Sequence, residues 1–106
     1  MKVIVTPFAQ QQIYKTASYI QREFGKVSRR IFMQKVRETK RLLADNPHIG
    51  PIEPNLAGLS TTYRSIVIAR LNKIIYSIES ERIDIVDFWD VRREPEALAA
   101  QVKGKI

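Results

Sequence analysis

Four cations fall on or beside predicted β-strands: Arg64, Lys73 and the pair Arg92-Arg93. Gathered on one sheet face, such side chains would grip a phosphate backbone and offset the charge that develops on phosphorus when RNA is cut. Arginine suits that task because its planar fork matches phosphate oxygens and it stays charged when buried. The same cations could instead pair with Asp87, Asp90 and Glu94, and the sequence leaves both readings open. Tyr63, Tyr76, Phe88 and Trp89 are the strand aromatics. The first three read as packing, whereas Trp89, at a strand's end, is a candidate platform for an RNA base.

Other chemistries have little to work with. There is no cysteine and one histidine, His48, which removes disulfides, thiolate metal sites and Cys-His pairs, and leaves no spacing that builds a metal centre. The four glycines are scattered rather than gathered into a phosphate-cradling loop. His48 follows a proline in a loop and reads as surface structure. Neither a cofactor nor a metal is expected.

The elements that must position the cations follow from spacing. Residues 2–5 make a β-type run, closed by Thr6-Pro7, a helix cap followed by the residue suited to a first helical position. Ile13, Ala17, Ile20 and Phe24 recur at helical steps over residues 8–24, and Gly25 stops the pattern. A second helix, with Ser28 as candidate cap, repeats the spacing in Phe32, Val36, Thr39 and Leu43, with Arg30, Lys35, Arg37 and Arg41 opposite, and ends at Asn46-Pro47. Residues 46–59, with three prolines and two glycines, form a loop long enough to be functional. Three β-type runs, 61–69, 73–79 and 82–89, are joined by tight turns at Arg70-Leu71-Asn72 and Ser80-Glu81, which permits only antiparallel neighbours. Residues 94–102 read as a last helix. The expected fold is α+β: an N-terminal strand, a helical hairpin packed on an antiparallel sheet of three to four strands, and a short C-terminal helix. The sheet face away from the hairpin would be open, and Arg64, Lys73 and Arg92 would converge there.

At 106 residues, 44% hydrophobic and 27% charged, the chain suits one globular domain over 1–106. Its net charge of +7 is unevenly laid out. Eight basic residues stand against two acids between Arg22 and Arg41, and seven acids against three arginines between Glu79 and Glu96. Such polarity points to anionic partners, or else to a solvated helix face and strand edge. No apolar run approaches a membrane span and the start does not read as a leader, so the expected location is cytoplasmic, without a membrane partner.

The stretch from Thr61 to Leu98 carries Tyr63-Arg64, Lys73 ahead of Ile74-Ile75-Tyr76, and Ile83–Trp89 leading to Arg92-Arg93. In this it resembles the C-terminal half of RelE/ParE-superfamily toxins of type II toxin–antitoxin systems. Upstream, Asn46-Pro47, Gly50 and Leu56-Ala57-Gly58-Leu59 fit the same pattern. The resemblance implies a growth-arresting, plasmid-stabilisation type module and a cognate antitoxin, acidic or amphipathic, that wraps the helical hairpin or adds to the sheet. It also implies one of two targets. RelE-like members cut mRNA in the ribosomal A site without metal, using the RNA's own 2′-OH. The matching positions here are Arg64, Lys73 and Arg92, with Glu53, ahead of Pro54, as general base. ParE-like members bind DNA gyrase and need no catalytic groups. Arg93, Trp89, Arg37 and Arg41 are expected to touch nucleic acid or the target. Nuclease members also place a Tyr or His near the C-terminus, whereas Arg93 is followed by EPEALAAQVKGKI, and an indole such as Trp89 does not titrate usefully. This departure tilts the expectation toward gyrase inhibition. Ribosome-dependent mRNA cleavage is the alternative, and a non-catalytic basic nucleic-acid-binding module the second.

Overall fold

One sheet covered on both faces organises the chain in the computed structural model, which describes residues 1–69, 71–93 and 95–104. The elements run β1 (Lys2–Val5), α1 (Pro7–Phe24), α2 (Lys26–Asp45), a 3-10 turn (Pro54–Leu56), β2 (Tyr63–Ala69), β3 (Asn72–Glu79), β4 (Arg82–Asp90) and α3 (Pro95–Lys103). Sheet order is β1-β4-β3-β2. The meander β2-β3-β4 is antiparallel, as its short turns require. β1 departs from the antiparallel expectation: it pairs parallel with β4, from Lys2 opposite Arg82 to Val5 opposite Ile85, so the sheet is mixed. A parallel pair needs a long connection, and here both helices and the meander supply it.

The α1 start forms as its sequence dictates. Thr6 Oγ1 accepts a 3.2 Å hydrogen bond from the Ala9 N–H, and Pro7 takes the first helical position. Ala9, Ile13 and Ala17 are buried, but Phe24, which the spacing places on the same stripe, is 67% exposed. It lines a cleft at the end of α1 instead of reaching the core. Gly25, at φ 95°, is the whole joint between the helices. Consequently α2 begins at Lys26, and Ser28 lies inside it, donating to the Phe24 carbonyl at 3.3 Å rather than capping. Phe32, Val36 and Leu43 of α2 are buried, while Thr39 is half-buried and donates to the Lys35 carbonyl.

The hairpin and the sheet enclose the larger core, which includes Ile13, Leu43, Ile74, Tyr76, Ile83 and Ile85, with Phe32 edge-on to Phe88 at 5.7 Å. The opposite face, expected to be open, is closed by a second core. Leu98 and Val102 of α3 and Leu56 of the 3-10 turn pack on Tyr63, Ile75 and Trp89. The Glu94 end of the expected last helix lies outside the described residues. Burying Leu98 and Val102 contributes about 2 kcal/mol each toward holding α3 down. A polar anchor adds to it: Asp87, 1% exposed, accepts from the Phe88 N–H at 2.7 Å and from Gln101 Nε2 at 2.6 Å. Burial pushes the Asp87 carboxyl above its ordinary pKa, against the opposing pull of these bonds and of Arg93.

The loop after α2 is strapped to the sheet. The Tyr76 hydroxyl donates to the Pro47 carbonyl at 2.8 Å and accepts from the Gly50 N–H at 3.0 Å. Main-chain bonds from the Glu53 N–H to the Tyr63 carbonyl and from the Ser65 N–H to the Pro51 carbonyl lay the loop along β2. Gly50 is where backbones meet: a Cβ there would overlap the Ser65 carbonyl and stand 2.8 Å from the Tyr76 hydroxyl.

Two stability predictions follow from this packing. Gly50→Ala should cost about 2 kcal/mol or more, read from the urea midpoint, because main-chain atoms cannot yield. An unshifted midpoint would contradict the strapped loop. For Asp87, whose folded pKa is raised, the ionised form is penalised above that pKa, and the penalty disappears as pH falls to the unfolded value. Asp87→Asn should therefore raise the melting temperature at pH 7, and the gain should shrink toward pH 4. A gain independent of pH, or a loss at pH 7, would refute the account.

Candidate functional site

Strand parity decides where the cations go. Arg64 lies opposite Tyr76 and Lys73 opposite Val67. Positions 64 and 67 are an odd number of residues apart, so their side chains leave opposite faces of the sheet. Arg64 shares the helix-covered face with Ile66 and Ile68, and its Nη1 donates to the Gly50 carbonyl at 2.8 Å. Lys73 shares the other face with Ile75 and Trp89. The expected convergence of Arg64, Lys73 and Arg92 on one face does not occur.

Lys73 is instead bound to Glu53. Its ammonium meets Glu53 Oε1 in a short charge-assisted contact, and Glu53 Oε2 accepts from the Asn55 N–H at 2.9 Å. The carboxylate side chain is fully buried, that of Lys73 14% exposed. Burial alone would raise the Glu53 pKa. The bonds from Lys73 and Asn55, the Lys73 charge and a bond from Ser65 outweigh it, and the carboxyl sits below its ordinary value. A carboxylate so stabilised, with both oxygens occupied, is a poor proton acceptor. Two of the four expected catalytic residues thus neutralise each other inside the fold.

The other named residues separate as well. Trp89 is 2% exposed beneath α3, with the Arg93 guanidinium 4.2 Å from its ring centroid, so no ring face is left for a base. Arg92 forks onto Asp90, at 3.0 Å from Nε to Oδ1 and 2.7 Å from Nη2 to Oδ2. Among the pairings expected as the alternative to phosphate binding, this one is present, and Glu94 lies outside the described residues. Arg37 and Arg41 are exposed on α2, a helix rather than the strands and strand ends that carry Arg64, Lys73 and Arg92. His48 is an exposed loop residue.

What the structure does assemble is a cleft of ≈ 600 Å³ between α1 and the open end of the sheet. Arg92 and Arg93 form one wall with Leu71 and Asn72, and Lys15, Tyr19 and Phe24 of α1 form the other. Tyr19 is 50% exposed, stands edge-on to Phe24 at 6.4 Å, and has the Arg22 guanidinium 5.7 Å above its ring. Half-exposed aromatic faces beside cations suit an apolar or aromatic group flanked by carboxylates. Lys15 and Tyr19 were not singled out from the sequence, and Phe24 was read there as part of the core stripe. The available signal was an aromatic, Tyr19, off the buried stripe of α1.

Residues 3–95 match the family described as the ParE toxin of type II toxin–antitoxin system, parDE. No curated protein matches the chain by sequence. Among solved structures, the chromosomal ParDE toxin–antitoxin system from P. aeruginosa aligns over 86% of this chain and 96% of that chain, with a TM-score of 0.70 at 15% identity. A YoeB/ParE toxin from Agrobacterium tumefaciens aligns over 85% and 98%, with a TM-score of 0.53 at 18% identity. At these identities the likeness is one of fold.

The ion pair gives a direct test. Lys73→Met leaves the Glu53 carboxylate buried without its cation and should destabilise the protein by about 3 kcal/mol. Adding Glu53→Leu should recover most of that loss, because no uncompensated charge remains. Urea unfolding of the two single variants and the double variant measures this, and additive losses would show that the pair is not coupled.

Proposed function

The chain belongs to the ParE toxin family of type II toxin–antitoxin systems, and from that membership we propose that it arrests growth by binding DNA gyrase rather than by cutting RNA. The observation that carries this reading is the buried Glu53–Lys73 pair. Ribosome-dependent cleavage through the 2′-OH needs a base and a cation at one phosphate. Here the candidate base is held ionised at lowered pKa by the candidate cation, and Arg64 and Arg92 lie elsewhere on the fold. A binding toxin needs no free general base.

The cleft between α1 and the end of the sheet is the surface on which we place target contact. It combines Tyr19 and Phe24, which are half or more exposed, with Lys15, Arg92 and Arg93 on its walls. Interfaces draw their affinity from such aromatic and arginine anchors more than from area. The cations would also accelerate encounter with an acidic target surface.

The test pairs two purified-component assays with two variants. The unaltered chain should inhibit supercoiling by DNA gyrase and leave mRNA on programmed ribosomes intact. Glu53→Gln, which removes the candidate base, should keep growth arrest when the soluble protein is expressed. Tyr19→Ala with Arg92→Ala should weaken arrest and gyrase inhibition together, by tenfold or more, with an unchanged melting temperature. Ribosome-dependent RNA cleavage abolished by Glu53→Gln would overturn the proposal in favour of a nuclease.

A further inference from the structure

One flank of α2 is cationic without interruption. At 3.6 residues per turn, Lys26, Arg29, Arg30, Arg37, Lys40 and Arg41 fall within an arc of roughly 120° that holds no acid, and the row extends over about 22 Å. Lys26, Arg30, Arg37 and Arg41 are exposed, Arg29 and Lys40 half-buried. Among the described residues none of the six forms an ion pair. The nearest acid on the helix, Glu38, accepts from Gln34 Nε2 at 3.0 Å rather than from an arginine. Arg29 reaches across the hairpin to a neutral group, Gln21 Oε1, at 3.1 Å. The exposed aliphatics Val27, Ile31 and Leu42 are centred roughly 130° further round the helix and do not belong to this flank.

Folding does not call for such a flank. Lys26/Arg30 and Arg37/Arg41 are like-charge pairs four residues apart, Lys26/Arg29 and Arg37/Lys40 three apart, and each such pair weakens a helix. A folded acidic protein carries both signs on its surface and fixes register charge by charge, so its counterpart would hold an acid somewhere along the row. Unbroken positive charge along a straight row suits a polymer of unbroken negative charge. Each strand of duplex DNA carries a phosphate about every 3.4 Å along the axis, so the row spans roughly six phosphates of one strand. The flank also adjoins the cleft. Lys26 follows Gly25 at the hairpin corner, directly after Phe24, which lines the cleft.

We propose that the cationic flank of α2 is a sequence-independent contact to the backbone of the duplex DNA that gyrase holds. The cleft meets the enzyme and the flank meets its nucleic acid, so the toxin bridges the two. The guanidinium and ammonium groups neutralise phosphates and release their counterions, which makes the contact strong at low salt and weak at high salt. The inference rests on the gyrase reading of the cleft, and it adds the second component of the complex that the toxin engages.

The experiment compares the full chain with the Arg30→Gln, Arg37→Gln double variant, using a 20-base-pair DNA duplex of arbitrary sequence as the probe. Both positions are exposed, so the melting temperature should stay near that of the unaltered chain. For the unaltered chain, log K should fall against log salt with a slope of about −4, as four or so phosphate contacts require. In the double variant the slope should flatten by about 2, and binding at about 0.15 M salt should weaken at least fivefold. Half-inhibition of supercoiling should need at least fivefold more of the variant, while its affinity for gyrase without DNA stays within twofold. Val27→Ser with Ile31→Ser should leave the slope unchanged. An unaltered slope and affinity in the arginine variant would overturn the proposal. Lost affinity for DNA-free gyrase would do so too, by making the flank a protein contact. Tighter binding of a 20-nucleotide RNA than of the duplex would also overturn it, by making the flank an RNA surface. Duplex binding that depends on these arginines while supercoiling goes on uninhibited by the unaltered chain would remove the gyrase reading and leave the flank a DNA contact.

Discussion

A strand buried on both faces cannot carry a free charge on either, and this constraint governs where chemistry is possible in this chain. β3 and β4 are the inner strands of the sheet, with the helical hairpin on one side and α3 with the 3-10 turn on the other. Every polar side chain buried on them must bring its own partner. Lys73 brings Glu53, Asp87 brings Gln101, and Tyr76 takes the loop backbone at Pro47 and Gly50. Among the described residues no buried side-chain polar atom lacks a hydrogen bond. Each partnership that satisfies a buried group also removes it from the set available to a substrate. Reactive surface is thereby displaced to the strand ends and the helices.

The same constraint explains what could be read from the residues alone. The two long helices, the Thr6 cap, the Gly25 break and the antiparallel meander are local features, written in spacing and turn length; they form as expected, apart from the Ser28 cap and the first two residues of the 61–69 run. The parallel pairing of β1 was not legible, because nothing within residues 2–5 says which edge they join. Nor was the second core: Leu98 and Val102 look like any short amphipathic helix until Trp89 and Ile75 are seen beneath them.

The site was legible in composition and misread in geometry. Arg64, Lys73 and Arg92 are on strands or at their ends as expected, but sequence position does not reveal that 64 and 73 have opposite parity across the hairpin. Glu53 was expected as a general base, a role that needs its carboxylate free. It is buried since main-chain bonds from Glu53 to Tyr63 and from Ser65 to Pro51 draw the loop onto β2. Phe24 erred in the other direction, with core spacing but no core beneath the last turn of α1, and that misfit marks the cleft.

Charge on α2 carries the argument one step further. A helix dipole favours acids in the first turn and bases in the last. α2 has no acid in its first turn, where Lys26 and Arg29 stand, and Asp45 closes its other end. Together with the like-charge spacings, this layout costs the helix stability rather than adding to it. The helix stands because Phe32, Val36 and Leu43 are buried, each contributing on the order of 2 kcal/mol, well above the tenths lost on its surface. The outward charges are therefore not what holds the fold together, and the fold tolerates their cost. They can be set by what the surface must meet, and a local rule broken without a compensating contact inside the molecule points to a contact outside it.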